Sequence, residues 1–317
     1  MRERRSEYDV TNTVKVTDPE SVCLEISRLY VELYPKTSCA PLQQACLDMA
    51  RLFRGEYPGY LACDTPYHDL QHSLDVSLAM ARLICGYERS QPRAKQLGSK
   101  LAAAGIITAM FHDAGYIRRK MDRVHANGAE YTRRHVSRSA RFLATYLPQI
   151  GMQDIVSLVK KLVHFTGYEI AVPAIPLREY KDRTLGKLLG TADLLAQMSD
   201  RCYLEKCRDH LYPEFVAAGM ASWGAPGSDY ASAEELIYKT PLFFQHAVHD
   251  RLNATLNGVH THANAYFFPG RNFYMEALDR NYDYLKTVVK KRNVRLLRRR
   301  PPRTLAREPV EAQRQAA

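Results

Sequence analysis

Residues 101–113 read LAAAGIITAMFHD, and this stretch decides the fold class of the 317-residue chain. Its first eleven residues are apolar or small on nearly every face of a helix, which is typical of a helix buried at the centre of a domain. They are too few to span a bilayer, which takes about 20 residues. His112 and Asp113 close the stretch. Because an adjacent His-Asp pair is costly to bury without partners, the stretch predicts a polar site at the end of a central helix.

Helical periodicity continues on both sides of this stretch. Val22, Ile26, Leu29 and Leu33 recur at helical spacing after Asp18-Pro19, which is a favourable helix start. Further helices are predicted over 42–53, 69–85, 101–111, 130–146, 154–164, 185–207, 234–256 and about 272–294. No run of β-branched residues is bounded by turn signals, so the predicted class is all-α.

The chain divides into one long helical region and two polar ends. We expect residues 1–19 to be disordered and residues 20–295 to form one domain, with the site in a core of about 61–200 and a helical extension over 201–295. From Lys286 onward there are eleven basic and two acidic residues, so this segment carries +9 of the net charge of +11. We therefore expect a basic, disordered tail over 296–317, where any contact with nucleic acid would be confined.

Composition is ordinary for a folded soluble protein, with 46% hydrophobic and 25% charged residues. No apolar segment follows the basic start of the chain, so a secretory signal is not expected and a cytoplasmic location is. None of the seven cysteines forms a C-x-x-C pair, which favours reduced, structural thiols over a zinc site or disulfides.

Three separate segments carry the chemistry. His68 and His72 are four residues apart and can face one cleft, His112 and Asp113 end the central apolar helix, and Asp193 lies alone in an apolar helix. Imidazole is the commonest neutral metal ligand, and a carboxylate can bridge two cations. A metal ion would remove the cost of burying Asp113 and Asp193. The order of these residues therefore predicts a metal site.

This ordered pattern, His…His-Asp…Asp, resembles that of the HD superfamily of metal-dependent phosphohydrolases. The first motif, YHDLQHS over 67–73, further resembles the Tyr-His-Asn-x-x-His-Ala motif of cyclic-nucleotide phosphodiesterase catalytic domains. The resemblance implies an HD/phosphodiesterase-like helical bundle with His72, His112, Asp113 and Asp193 as metal ligands. It also implies that His68 is the general acid that protonates the leaving oxygen. Asp69 and Tyr116 depart from the family patterns.

Other side chains have candidate roles beside this set. By the same resemblance, His135 and His164 have the order and rough spacing of second-metal ligands, or they line the cleft as substrate contacts. Glu130 is a candidate for orienting a metal-bound water or contacting substrate, Gln245 for gripping a nucleotide base, and Arg118 for attracting an anion. His125, in the polar loop after Asp113, is an outside candidate for the site.

The expected function is hydrolysis of a phosphomonoester or phosphodiester, such as a nucleotide, by metal-activated water. Asp113 and His68 would be the catalytic residues, and two divalent ions (Mn, Mg, Zn or Fe) would be the cofactors. The expected partner is a small phosphorylated substrate. Two alternatives remain open: a di-iron oxygenase, which His135 and His164 would favour, and a regulatory module that senses a nucleotide.

Overall fold

The computed structural model describes residues 4–221, 230–267 and 270–302, and their regular structure is helical. The helices are α1 Pro19–Leu33, α2 Ala40–Arg54, α3 Leu70–Ser90, α4 Ser99–Phe111, α5 His135–Tyr146, α6 Val156–Leu162, α7 Tyr180–Ser199, α8 Tyr203–Lys206, α9 Tyr212–Ala217, α10 Ala233–Gln245, α11 Ala263–Tyr266 and α12 Phe273–Lys290. Within the described ranges, β pairing is limited to isolated bridges between Tyr8 and Lys15 and between Tyr60 and Arg119. The predicted all-α class is confirmed. None of the described helices has the length and apolar character needed to cross a membrane.

Helices α3, α4 and α7 form the centre of the bundle, and each packs against the other two. α4 is buried from Ala102 to Phe111, as its composition predicts. Gly105 allows this close packing, because a Cβ atom there would lie 2.6 Å from Leu185 Cδ1 and 2.7 Å from Met80 Cε. The start of α3, the end of α4 and the middle of α7 are thereby held together.

The remaining helices surround this centre. α1 packs on α3 and α2 on α4, while α5 and α6 pack on each other. α12, from the predicted helical extension, packs on α7 and α10. The site-bearing helices are therefore supported by long-range contacts from both halves of the chain.

Several helix boundaries differ from the predicted ones. The predicted helix over 130–146 begins with a tighter 3-10 segment, Gly128–Arg134, before α5. α7 begins at Tyr180 and ends at Ser199, and α10 is followed by wider π-helical turns over His246–Thr255. Hydrophobic periodicity reports which face is buried and not how tightly each turn is wound, so it does not reveal these changes.

Residues 4–18 are folded, which corrects the disorder predicted for residues 1–19; residues 1–3 lie outside the described ranges. Val10, Val14 and Val16 are buried in the core. The Asp9 carboxylate accepts the backbone N–H of Val14 at 2.9 Å and pairs with Arg82 at 2.7 Å, where the Arg82 side chain is 1% exposed. Polar residues stand between the valines, so the hydrophobic pattern of the sequence does not indicate this buried face. The charged partner of Asp9, Arg82, lies in α3, far along the chain.

The start of the predicted basic tail is also ordered. Leu297 is buried, the backbone N–H of Arg299 donates to Glu205 at 3.1 Å, and Arg299 Nη1 donates to Asn281 at 3.3 Å. The prediction of disorder is therefore wrong for residues 296–302. The many arginines led to that prediction, but the buried side chain of Leu297 holds the segment against the domain. Residues 303–317 of the predicted tail lie outside the described part of the chain.

We expect Asp9→Asn to lower the free energy of unfolding by about 2 kcal/mol, because it leaves the buried Arg82 guanidinium without its charged acceptor. Chemical denaturation of the full chain measures this change. Glu7→Gln is the matched control in the same segment, since Glu7 is exposed and its loss should cost less than about 0.5 kcal/mol. Equal stability of the two variants would mean that residues 4–18 do not contribute to the fold.

Candidate metal centre

His72 lies in the first turn of α3. Asp69 caps this helix, and its side chain accepts the backbone N–H of His72 at 2.9 Å. Asp69, which departs from the phosphodiesterase motif, thus has a structural role, because aspartate is a favoured N-cap residue. This cap fixes the start of the helix and directs the His72 ring into the interior, where it is 7% exposed.

His112 and Asp113 lie where α4 ends, and both are nearly fully buried. The chain then passes close to the start of α5, where a Cβ atom on Gly115 would lie 1.8 Å from the carbonyl oxygen of His135. Only glycine permits this approach, and it brings His135 beside Asp113. Asp193 enters from α7, where its neighbours Ala192 and Leu194 are buried.

These side chains meet in one cluster. The Nε2 atoms of His72 and His112 are 3.3 Å apart, and they lie 3.4 Å and 3.1 Å from Asp113 Oδ2. Asp193 Oδ1 lies 3.3 Å from His72 Nε2 and 3.7 Å from His112 Nε2. Donor atoms of His72, His112 and Asp113 all lie within 4.8 Å of one another, as ligands of one cation would.

The chemistry of the donor atoms also suits a cation. His112 Nδ1 donates to the carbonyl oxygen of Ala109 at 2.8 Å, so its Nε2 faces the cluster and offers a lone pair whenever the ring is neutral. Asp113 Oδ2 is buried and accepts no well-aligned hydrogen bond, although His112 Nε2 lies 3.1 Å away. Lone-pair acceptors that face one another in a dry interior need a positive charge between them. The cluster therefore fits a metal ion.

The close approach of these side chains also shifts the pKa values of His112 and Asp113. Burial is the largest influence and would lower the pKa of His112, but the charges of Asp113 and Asp193 and the hydrogen bonds to Asp113 and Ala109 together raise this pKa to about 9. Burial would raise the pKa of Asp113, but the charge of His112 and then that of His68 hold it well below its ordinary value. Asp113 is thus ionised at neutral pH, as a metal-binding carboxylate must be.

His135 stands on the other side of Asp113. Its Nδ1 donates to the carbonyl oxygen of Thr132 at 2.7 Å, and its Nε2 lies 3.6 Å from Asp113 Oδ1. Burial lowers the pKa of His135 and keeps the ring neutral. The two carboxylate oxygens of Asp113 therefore face different imidazoles, Oδ2 toward His72 and His112 and Oδ1 toward His135.

His68 lies just before α3 and is held by Glu214 of α9. Glu214 is 1% exposed, and one oxygen contacts His68 Nδ1 while the other accepts the backbone N–H groups of Tyr67 at 2.9 Å and His68 at 3.2 Å. Burial is the largest influence and would lower the pKa of His68, but the charge and hydrogen bond of Glu214 and the charges of Asp113 and Asp193 together raise it to about 9. His68 is therefore a proton carrier in its charged form.

Tyr116 packs against both His68 and His135. Its ring stacks on His68 with centroids 4.6 Å apart and on His135 with centroids 4.4 Å apart. Tyr116 is 2% exposed, and burial raises the pKa of its hydroxyl well above the ordinary value. The residue that departs from the HD pattern thus packs against both imidazoles, whose planes are tilted by 32° to each other.

The cluster opens into a cavity of about 480 Å³, large enough for a nucleotide-sized ligand. His68, His72, His112, Asp113, His135 and Asp193 all line it. Its outer walls are mostly apolar and include Leu194, Phe215, Tyr230, Leu236 and Phe243. We refer to this space as the catalytic cavity.

An arginine also lines the catalytic cavity. Arg251 Nη2 donates to the carbonyl oxygens of Phe165 at 2.8 Å and Gly167 at 3.1 Å, and its guanidinium lies over the Tyr168 ring, 4.1 Å from the centroid. These three partners of Arg251 are neutral. The cavity thus combines apolar walls with a cationic group suited to an anionic ligand.

Five predicted candidates do not line this cavity. His164 follows α6, and its buried Nδ1 has no hydrogen-bond partner. Glu130 caps the segment after Asn127, Arg118 pairs with Asp64 at 2.8 Å, and Gln245 is exposed at the end of α10. His125 contacts Asp122 at 3.1 Å in the loop after Asp113. Their contacts in the described structure are with residues that do not line the cavity, which gives no support for placing them at the site.

Sequence reasoning did not single out three lining residues of the catalytic cavity: Glu214, Gln197 and Arg251. Gln197 follows Asp193 by four residues in α7, and Tyr67 donates to its side-chain oxygen at 3.4 Å. The spacing from Asp193 is a signal that could have identified Gln197. Glu214 and Arg251 have no comparable signal, because the elements that bring them to the cavity are distant in sequence.

No protein-family model matches the chain, and no curated protein matches it at a significant level. Among solved structures, the chain is similar to the phosphodiesterase domain of Salpingoeca rosetta rhodopsin phosphodiesterase. The two share 13% sequence identity and a TM-score of 0.50 over 91% of this chain and 92% of that one. At this identity the likeness concerns the fold alone, and membership of the HD superfamily stays a prediction. This chain therefore has a helical fold similar to that of a phosphodiesterase domain.

Proposed function

We propose that this protein is a metal-dependent hydrolase of phosphoric esters. The observation that carries the proposal is the buried cluster of His72, His112, Asp113 and Asp193, whose acceptor atoms face one another at the end of an apolar cavity. The likeness in fold to a phosphodiesterase domain supports the same class of reaction.

His72, His112, Asp113 and Asp193 would hold one divalent cation, and His135 with the second oxygen of Asp113 would contribute to holding another. The distances of 3.1 to 3.6 Å from these imidazoles to Asp113 support this assignment. When bound, such cations lower the pKa of water and neutralise charge on phosphate oxygens. The identity of the metal is among Mn, Mg, Zn and Fe.

His68 would donate a proton to the departing alkoxide oxygen. Its contact with Glu214 orients the ring and favours the protonated form, and its other nitrogen is available to the cavity. Tyr116, stacked on the ring, restricts its orientation further. Proton donation is the step that needs a charged imidazole, and the raised pKa of His68 supplies one at neutral pH.

The cavity supports a substrate with an anionic phosphate and an apolar or aromatic remainder. Arg251 would attract the anion, and Phe243 with Tyr230 would contact the remainder. A nucleotide or an aryl phosphate has both parts.

Hydrolysis is favoured over the two alternatives. The di-iron oxygenase hypothesis is strongest with both His135 and His164 as ligands, and only His135 lines the cavity. The sensing module would not need a proton donor held by a buried carboxylate, as His68 is held by Glu214.

The test combines metal analysis with a substrate panel. We expect the purified full chain to contain or bind divalent metal and to release phosphate or alcohol from aryl phosphates, aryl phosphodiesters or cyclic nucleotides. Activity should be lost on chelation and return on addition of Mn, Mg or Zn. A metal-loaded protein that hydrolyses none of these esters, or that consumes oxygen instead, would contradict the proposal.

A further inference from the structure

The loop between Tyr116 and Gly128 carries two apolar side chains that are almost fully open to solvent. We call residues 118–127, RRKMDRVHAN, the basic loop. Met121 is 89% exposed and Val124 is 84% exposed, the two highest values among the exposed large hydrophobic side chains of the described residues. Contact with an apolar phase would remove both side chains from water, which is favourable.

The base of the basic loop is fixed to the domain. Arg118 pairs with Asp64 at 2.8 Å, and its Nη1 donates to the carbonyl oxygen of His125 at 2.8 Å, which closes the loop. The backbone N–H of Lys120 donates to the carbonyl oxygen of Gly59 at 2.9 Å. The two apolar side chains are therefore presented by a loop whose base is held in place.

The carboxylates of this region are occupied by neighbouring donors. Asp122 accepts the backbone N–H groups of Val124 at 3.0 Å and His125 at 3.2 Å, and the Tyr131 hydroxyl also donates to it. Glu130 accepts two backbone N–H groups of the loop at 2.7 Å and 3.0 Å. These bonds shape the loop and direct both carboxylates toward its own backbone.

Three exposed cations flank the apolar pair: Arg119, Lys120 and Arg123. Each lies within two residues of an exposed apolar side chain. Among the described residues none of the three pairs with a carboxylate, and Arg119 lies over the Tyr60 ring, 5.7 Å from its centroid. The surface of the basic loop therefore combines positive charge without an acidic partner and apolar side chains without an apolar partner.

A bilayer that contains anionic lipids complements both features. Its negative surface potential attracts exposed Lys and Arg, and each such cation strengthens binding about fivefold. Apolar side chains that pass between the headgroups leave water. We propose that the basic loop binds the surface of an anionic bilayer, with Met121 and Val124 inserted at the level of the headgroups. The three cations face the lipid phosphates, and the contact is reversible because so few side chains contribute.

The basic loop suits a lipid surface better than a nucleic acid. Single-stranded nucleic acids are usually held along a positively charged groove by aromatic side chains on which the bases stack. The basic loop contains no Phe, Tyr or Trp. A phosphate backbone would contact the cations but leave Met121 and Val124 in water, whereas a bilayer surface accommodates both kinds of side chain.

Flotation of the full chain with lipid vesicles at physiological salt tests the proposal. We expect binding to vesicles of phosphatidylserine and phosphatidylcholine in equal amounts, and none to phosphatidylcholine alone. Arg119→Gln/Arg123→Gln should weaken binding about thirtyfold by removing two charges. Met121→Ser/Val124→Ser should weaken it about tenfold, since less apolar area leaves water. Because all four side chains are exposed, these variants should keep the fold.

Matched controls make the same changes at other exposed positions. Arg93→Gln/Lys95→Gln removes two exposed cations between α3 and α4, and Leu24→Ser/Leu47→Ser removes two exposed leucines of α1 and α2. Both should bind vesicles within about twofold of the unaltered chain. If the control for charge loses as much affinity as the loop variant, the attraction reflects net charge alone and the proposal is wrong. Equal losses in the two serine variants would likewise exclude insertion of the loop.

A substitution that should strengthen binding tests insertion directly. Tryptophan is favoured at the membrane interface, so Met121→Trp should tighten binding to the mixed vesicles. Its fluorescence emission should also shift to shorter wavelength when these vesicles are added. Leu24→Trp is the matched control, and its emission should stay unchanged. Bound Met121→Trp without a shift would mean that another surface contacts the bilayer, and this result would overturn the proposal.

Two soluble polyanions distinguish other partners from a bilayer. Binding of single-stranded RNA or of polyglutamate that depends on Arg119 and Arg123, without binding to vesicles, would assign the loop to a nucleic acid or an acidic protein and contradict the proposal. The four substituted loop residues do not line the catalytic cavity, and every readout is one of binding. The outcome is therefore independent of the proposed hydrolase activity.

Discussion

Replacing Asp113 by alanine is expected to remove the bound metal and to lower phosphoester hydrolysis by at least about a thousandfold. Asp113 is the one side chain that faces both groups of imidazoles, at 3.4 Å and 3.1 Å from His72 and His112 and at 3.6 Å from His135. Its loss would leave two neutral rings and Asp193, too weak a set to hold a cation and to balance its charge. Metal content measured by mass spectrometry, together with the rate on an aryl phosphate, tests this expectation.

His164→Ala is the matched control for Asp113→Ala. Sequence order made His164 a candidate ligand, but its ring does not line the catalytic cavity. We therefore expect this variant to retain its metal and most of its activity. Full metal content in Asp113→Ala, or loss of metal only in His164→Ala, would show that the cluster has been assigned to the wrong residues. Thermal melting of both variants separates loss of metal from loss of fold.

The second large effect is expected from Glu214→Gln. Without the carboxylate, burial of His68 is opposed only by the charges of Asp113 and Asp193, so the pKa of His68 falls from about 9. A proton donor must carry its proton, so the variant should lose about a hundredfold in rate at about pH 8 and recover as the pH falls. The alkaline limb of the pH–rate profile should therefore move to lower pH.

Glu169→Gln provides a comparison for this effect. Glu169 also lines the catalytic cavity, but its carboxylate accepts the backbone N–H of Ser137 at 3.1 Å and does not hold His68. Its substitution should leave the pH–rate profile in place. A second comparison is His68→Ala, in which adding Glu214→Gln should cost little more, since Glu214 is expected to act through His68. An unshifted profile in Glu214→Gln would remove His68 from the role of proton donor.

The sequence by itself determined the fold class and the main components of the candidate site. The apolar stretch before His112 predicts a central helix, and α4 is buried as expected. Polar residues in apolar helices are costly to bury alone, so the order of His72, His112, Asp113 and Asp193 was already informative before their distances were known. Periodicity and the cost of burial are local properties, and both can be read from neighbouring residues.

Only the tertiary structure decided which other side chains join these four. Glu214 reaches His68 from α9, and Tyr116 stacks on both His68 and His135, while His164 stays outside the cavity. The same is true of Asp9, which orders the N-terminal segment by pairing with Arg82. Such pairings depend on where distant elements pack and how each turn is wound, and neither is determined by the spacing of residues along the chain.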